Sequence, residues 1–228
     1  MLEASVAILL AYLWGSVPTG YLVARSRGID IRRYGTGNVG ASNLIKHVGR
    51  RVGLGLGLFD GLAKGALPVV VANLLEMSLG IQVGIALAAV IGHNWSFAMK
   101  FTGGRGVATS MGAYVGFGLW PQLAVGILMV GIVGWILLRN LALWMLLGMI
   151  TMVPLAIFLG QPAEIVYVLL GLVALVVLKR LTANWEGPAK GQTWRQVLLW
   201  RFLYDRDVAQ RGDWISREPD PNPNDQKR

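Results

Sequence analysis

Thr36, Asn38, Ser42, Asn43 and Lys46 fall within eleven residues, interleaved with Gly35, Gly37 and Gly40, in the run YGTGNVGASNLIK. Hydroxyl, amide and ammonium groups at that density can surround an oxyanion. A tight turn followed by a helix cap at Ser42 or Asn43 accounts for the same pattern. A second run, KFTGGRGVATSMG, places Gly103, Gly104 and Gly106 around Arg105, with Thr109 beginning the next helix. A glycine loop entering a helix N-terminus presents N–H groups and the positive end of the helix dipole to an anion. The spacing is not that of a P-loop, and glycines that let helices pack closely explain it nearly as well.

Three more polar residues lie in apolar surroundings. Asp60 and Lys64 stand four apart on one helix face and can neutralise each other. Lys64 can also snorkel, so the pair is read as structural. His93 is an intramembrane ionisable group and therefore carries a functional hypothesis, although a lone helical histidine is more often a hydrogen-bonded structural residue.

The elements that must position these groups are apolar. The 228 residues are 54% hydrophobic and only 14% charged, well below the ~25% charged residues usual in a soluble domain. Apolar segments recur at about 2–24, 53–76, 80–100, 106–118, 120–138, 141–159 and 163–181, each near the length of a membrane span except the fourth, which is short. Pro18 and Pro154 punctuate the first and sixth and should kink them or free carbonyls there. The loop from Arg25 to Arg51, Lys100 with Arg105, Arg139, and Lys179 with Arg180 carry the positive charge, while the alternate loops near Glu76, Gly118 and Gln161 carry none. That alternation predicts an all-α polytopic membrane protein with seven transmembrane helices, N-terminus outside and C-terminus cytoplasmic. Both glycine-rich runs then face the cytoplasm. Glu3 stands where a cleavable signal would be basic, so the first segment is expected to stay as a span.

The chain has no cysteine and two histidines, His47 and His93, which excludes thiolate chemistry and gives no metal-ligand spacing; neither metal nor cofactor is expected. The formal charge of +9 belongs to the membrane part: residues 1–185 hold 13 basic and 5 acidic side chains, residues 186–228 hold 8 and 7. An anionic ligand, anionic lipid or topology control each suffice for that excess, whereas nucleic-acid binding lacks a basic patch on a soluble domain. Residues 1–185 are read as a membrane-embedded domain and 186–228 as a cytoplasmic tail. Within the tail, Thr193 to Gln210 reads as one amphipathic helix, suited to the headgroup layer or equally to packing on the loops. The run REPDPNPNDQKR is expected to be disordered.

The run GSVPTGYLVARSRGIDIRRYGTGNVGASNLIKHVG resembles the first signature of the PlsY-type glycerol-3-phosphate acyltransferases, HNWSFAMKFTGGRGVAT their second, and LKRLTANWE, more weakly, their third. The resemblance covers residues 15 to about 186 in order. It implies a seven-span enzyme that moves a fatty acyl group from acyl phosphate to the 1-hydroxyl of glycerol 3-phosphate, giving lysophosphatidic acid in the cell's inner membrane. Thr36, Lys46 and Arg105 stand where the family usually has Ser, Arg and Lys, so a hydroxyl and two cations persist as the implied catalytic set. Asn38, Ser42, Asn43, His93, Gly103, Gly104, Gly106, Arg180 and Glu186 are the implied substrate-binding residues. Ala174 and Val177 replace the usual His and Asn, with Asn184 nearby. On that departure rests the alternative: a non-catalytic relative that binds lipid phosphate or carries a small anion.

Overall fold

The computed structural model describes residues 2–138, 140–184, 186–208 and 212. Arg139, Gln210 and the run REPDPNPNDQKR, to which the sequence assigned a loop charge, a helix end and disorder, lie outside them. Apart from one isolated antiparallel bridge between Ser96 and Thr102, the described regular structure is helical. Its α-helices are α1 (Leu2–Gly15), α2 (Thr19–Arg25), α3 (Ala41–His47), α4 (Arg50–Phe59), α5 (Leu67–Leu74), α6 (Leu79–Asn94), α7 (Val107–Gly116), α8 (Trp120–Ile127), α9 (Leu141–Phe158), α10 (Ala163–Thr182) and α11 (Trp194–Tyr204).

Among the described residues, four helical stretches are long and apolar enough to cross a membrane: Leu2–Arg25, Arg50–Leu74, Leu141–Phe158 and Ala163–Thr182. Leu79–Asn94 and Trp120–Gly134 are shorter apolar helices. Large apolar side chains such as Leu10, Leu74, Ile127 and Phe158 point outward, as a lipid-facing surface requires and a water-facing one would not. Inside, Val90, Tyr114, Met149, Met152, Leu169 and Leu172 pack in the largest buried cluster, joining α6, α7, α9 and α10.

Two interruptions of regular helix matter for the polar site. The first apolar segment breaks between α1 and α2, where Pro18 has no N–H to donate. The break leaves backbone carbonyls without helical partners, and two are taken by side chains: Lys64 Nζ donates to Val17 O at 2.7 Å and the Ser96 hydroxyl donates to Ser16 O. The kink expected at Pro18 is thus present; Pro154, by contrast, lies inside the continuous helix α9. The second interruption is a π-helical segment, Asp60–Ala66, between α4 and α5. A π-turn widens the helix, and here it carries both Asp60 and Lys64. Helix α7 crosses this segment at close range, since a Cβ on Gly112 would lie 1.8 Å from Gly61 O; only glycine permits that approach.

The expected third segment, 80–100, ends earlier than the apolar run does. Helix α6 stops at Asn94, and Phe97–Met99 forms a separate 3-10 turn. Lys100 and Phe101 both take positive φ, 53° and 60°, turning the chain sharply into the second glycine run. The fourth segment is short, as read: α7 has ten residues and begins at Val107, two residues ahead of Thr109. In the tail the helix ends at Tyr204, where Asp205 takes a left-handed conformation. The helix packs against α9 and α10 rather than standing away from them.

Candidate functional site

The first glycine run is held together by its own side chains. Asn43 Nδ2 donates to the carbonyls of Tyr34 and Asn38, each at 2.9 Å, and lies 3.2 Å from that of Ile31; Asn43 Oδ1 accepts from Thr36 N at 3.4 Å. Asn38 Oδ1 accepts from Gly40 N at 3.1 Å, and the Thr36 hydroxyl accepts from Asn38 N at 3.2 Å. Asn38 and Asn43 are both buried. Asn43 thus uses both of its side-chain polar atoms, and Asn38 its Oδ1, to shape the loop. Helix α3 starts at Ala41 behind Gly40, so neither Ser42 nor Asn43 serves as the N-cap that the sequence allowed. Ser42 and Lys46 are exposed on α3.

The second run is packed against the end of α6. Gly104 N donates to His93 O at 3.0 Å, and Gly103 N donates to Asn184 Oδ1 at 3.2 Å. A Cβ on Gly104 would lie 2.0 Å from His93 Nε2, so the histidine ring occupies the space a side chain would need. Gly106, with φ of 73°, turns the loop into α7. The expected ring of open amides is thus corrected: at Gly103 and Gly104 the N–H groups already donate within the protein. His93 is the penultimate residue of α6.

Arg105 is buried, and its Nη1 donates to Lys179 O at 3.0 Å. Its Nε lies 2.9 Å from Asp205 Oδ1, a charge contact without hydrogen-bond alignment. Lys46 and Arg105, expected to share one anion, are both absent from the lining of the small cavity between the glycine loops. The cavity that receives Val39 from the first run and Gly103 from the second is lined also by Thr19, Asp60, Lys64 and His93. It is small, about 10 Å³, space for roughly one water.

Around that cavity the buried charges form a closed network. Lys64 Nζ lies 2.9 Å from Asp60 Oδ1 and donates to the Thr19 hydroxyl at 2.9 Å, while Thr19 donates to Asp60 Oδ1 at 3.1 Å. His93 Nδ1 stands 3.8 Å from the same carboxylate oxygen. A buried ion pair persists when its remaining valences are met, and Val17 O meets the last one. The network ties the π-segment to the break at Pro18, in agreement with the structural reading of Asp60 and Lys64.

Arg180 is committed elsewhere. Its Nη1 donates to Phe202 O at 3.1 Å and Nη2 to Ala142 O at 2.8 Å. These bonds staple α11 to the start of α9. Glu186 is exposed; its carboxylate comes beside Gly37, whose Cβ would lie 3.6 Å from Oε1. Arg201 donates to Leu181 O and Glu186 O at 3.0 and 2.9 Å and pairs with Asp207, closing the turn after α10.

Two participants escaped the sequence reading. Lys179 is fully buried, and its Nζ donates to Asn184 Oδ1 at 2.9 Å beside the Trp95 ring, 5.3 Å from its centroid. Placed next to Arg180, it read only as a topology marker. Asp205 read as one charge of an amphipathic tail, and nothing local links it to Arg105.

A family model described as glycerol-3-phosphate acyltransferase matches residues 5–190. The chain is 33% identical over 224 residues to glycerol-3-phosphate acyltransferase 5 of Dehalococcoides mccartyi, covering 95% of this chain and 94% of that one. It is 40% identical over 162 residues to a glycerol-3-phosphate acyltransferase of Thermus thermophilus, covering 71% and 80%. Among solved structures it is similar to PlsY, an integral membrane glycerol 3-phosphate acyltransferase. The glycerol 3-phosphate form gives a TM-score of 0.71 at 27% identity, over 80% of this chain and 90% of that one. The lysophosphatidic acid form gives 0.69 at 26%, over 78% and 88%.

Proposed function

The chain belongs to the glycerol-3-phosphate acyltransferase family, and from that premise we propose the donor, the topology and the residues by which it acts. It is an integral membrane acyltransferase that acylates glycerol 3-phosphate in phospholipid synthesis. The donor is an acyl phosphate and the acceptor atom the 1-hydroxyl. That oxygen attacks the acyl carbonyl carbon, the bond from the acyl carbon to the phosphate oxygen breaks, and inorganic phosphate leaves with lysophosphatidic acid as product. An acyl phosphate carries its own good leaving group, so no covalent enzyme intermediate is needed. The hydroxyl proton passes to a phosphate oxygen of the acceptor, which suits a chain with two histidines.

The protein's part is positioning and charge stabilisation. Lys46, exposed on the last turn of α3, and Arg105, beside the glycine loop, supply positive charge for phosphate. Thr36, Ser42 and the carboxylate of Glu186 near Gly37 orient the acceptor. Asn38, Asn43, Gly103, Gly104, Gly106 and His93 hold the two loops in shape, and Arg180 anchors the tail. The membrane part runs over residues 1–185 in seven passes, with the N-terminus outside, and residues 186–228 lie on the cytoplasmic side of the inner membrane with the site. The alternation of Lys and Arg supports that orientation.

The likeness over most of its length to a structure containing glycerol 3-phosphate carries this reading. The donor is tested by offering purified protein palmitoyl phosphate or palmitoyl-CoA with labelled glycerol 3-phosphate. Product from the phosphate alone is expected; product from the thioester alone contradicts the assignment.

A further inference from the structure

Two donors from distant parts of the chain converge on one neutral oxygen. The Lys179 ammonium and the Gly103 N–H both point at Asn184 Oδ1, at 2.9 and 3.2 Å. An amide oxygen is a modest partner for a fully buried cation, and among the described residues Lys179 forms no ion pair with a carboxylate. Burying an ammonium with so little compensation is costly. The backbone that delivers Asn184 is strained as well: Ala183 holds φ of 48° and ψ of −120° and is buried. An alanine held there is strained, and strain of this kind accumulates at functional sites. Arg105 adds a third donor-rich group, bonded to the Lys179 carbonyl. The Trp95 ring under the ammonium also walls an open apolar groove with Phe101, Leu178 and Thr182. The cation therefore sits where the polar loop meets an apolar face.

We infer that Asn184 Oδ1 holds the place of a substrate phosphoryl oxygen, and that Lys179 with the Gly103 amide forms an anion subsite of this chain. The inference deepens the acyltransferase reading and rests on it for the identity of the ligand. When substrate arrives, Asn184 yields, a neutral acceptor is exchanged for an anionic one, and the ammonium gains a charge-assisted bond. The phosphoryl oxygen can belong to the acyl phosphate or to glycerol 3-phosphate; Lys179 touches it in either case.

The test uses the full chain in detergent with Lys179→Gln, Lys179→Arg and Asn184→Ala. Inorganic phosphate and glycerol 3-phosphate should each raise the melting temperature of wild type, Lys179→Arg and Asn184→Ala, and at the same ligand concentration this shift should be sharply smaller in Lys179→Gln. In the transfer assay Lys179→Gln should raise one substrate's KM by about tenfold while kcat changes by less than about threefold. The substrate whose KM moves identifies the source of the oxygen. An undiminished melting shift in Lys179→Gln, unchanged values of both KM, or a fall in kcat alone would overturn the subsite. So would absence of any phosphate shift in wild type. Should Lys179→Gln not fold, loss of the shift in Asn184→Ala overturns it, because the amide would then be the ligand itself. A wild-type protein that shows the shift yet transfers no acyl group would leave the subsite standing and remove the enzymatic reading.

Discussion

The Asp205 carboxylate lies 2.9 Å from Arg105 Nε, so a residue of the tail neutralises the cation of the GGRG loop. Asp205 lies beyond the residues matched by the family description, which end at 190. Its side chain is 25% exposed, against 9% for that of Arg105, so solvent weakens the pair from one side only. Asp205→Ala should lower stability by roughly 1–2 kcal/mol, less than a fully buried pair would lose. The effects of Asp205→Ala and Arg105→Ala on melting in detergent should fall short of additivity in the double variant. Strict additivity would mean that the two charges do not interact.

Lys64 is the donor that closes the break at Pro18. Lys64→Met leaves Asp60 buried without its cation and Val17 O without its donor, and should cost about 3–5 kcal/mol. Lys64→Met combined with Asp60→Leu removes both charges and should recover much of that loss. Equal melting temperatures for the single and double variants would show that the ion pair is not what stabilises this junction.

Gly104→Ala places a Cβ where His93 Nε2 now sits, 2.0 Å away. The loop must shift, and transfer activity should fall by about tenfold or more, since small misplacements at a positioned site are expensive. Adding His93→Ala removes the ring and should restore part of the activity to Gly104→Ala. If the double variant is no better than Gly104→Ala, the clash is not the cause.

Asn43→Ala strips the first glycine run of the donors to Tyr34 O and Asn38 O and of the acceptor for Thr36 N. Buried backbone groups left without partners cost about 1–3 kcal/mol each. The variant should therefore melt earlier and expose the loop to protease between Tyr34 and Asn43, with no change specific to KM. A large KM effect in a protein of unchanged stability would return Asn43 to direct substrate contact.

Much of this layout could be read in the residues. The polar runs at 34–46 and 100–112 announced themselves because hydroxyl, amide and cationic side chains cluster there between apolar segments. The break at Pro18 followed from a missing N–H. The π-segment at Asp60–Ala66 was not legible, because DGLAKGA is compatible with either helical period. The partners of Arg105 were hidden for a different reason. Lys179 and Asp205 lie some 74 and 100 positions away in sequence, and no local pattern carries a contact of that separation. The present partners of the Gly103 and Gly104 amides, Asn184 Oδ1 and His93 O, were not legible either, because loop amides pair with whatever oxygen folding brings to them.

The acyl transfer itself is tested most directly by following labelled glycerol 3-phosphate in lipid nanodiscs that contain the protein and palmitoyl phosphate. Labelled lysophosphatidic acid should appear together with an equal amount of inorganic phosphate, and Arg105→Ala should slow both by about a hundredfold. No labelled lysophosphatidic acid from folded wild-type protein, or product formed at the same rate by Arg105→Ala, would contradict the account.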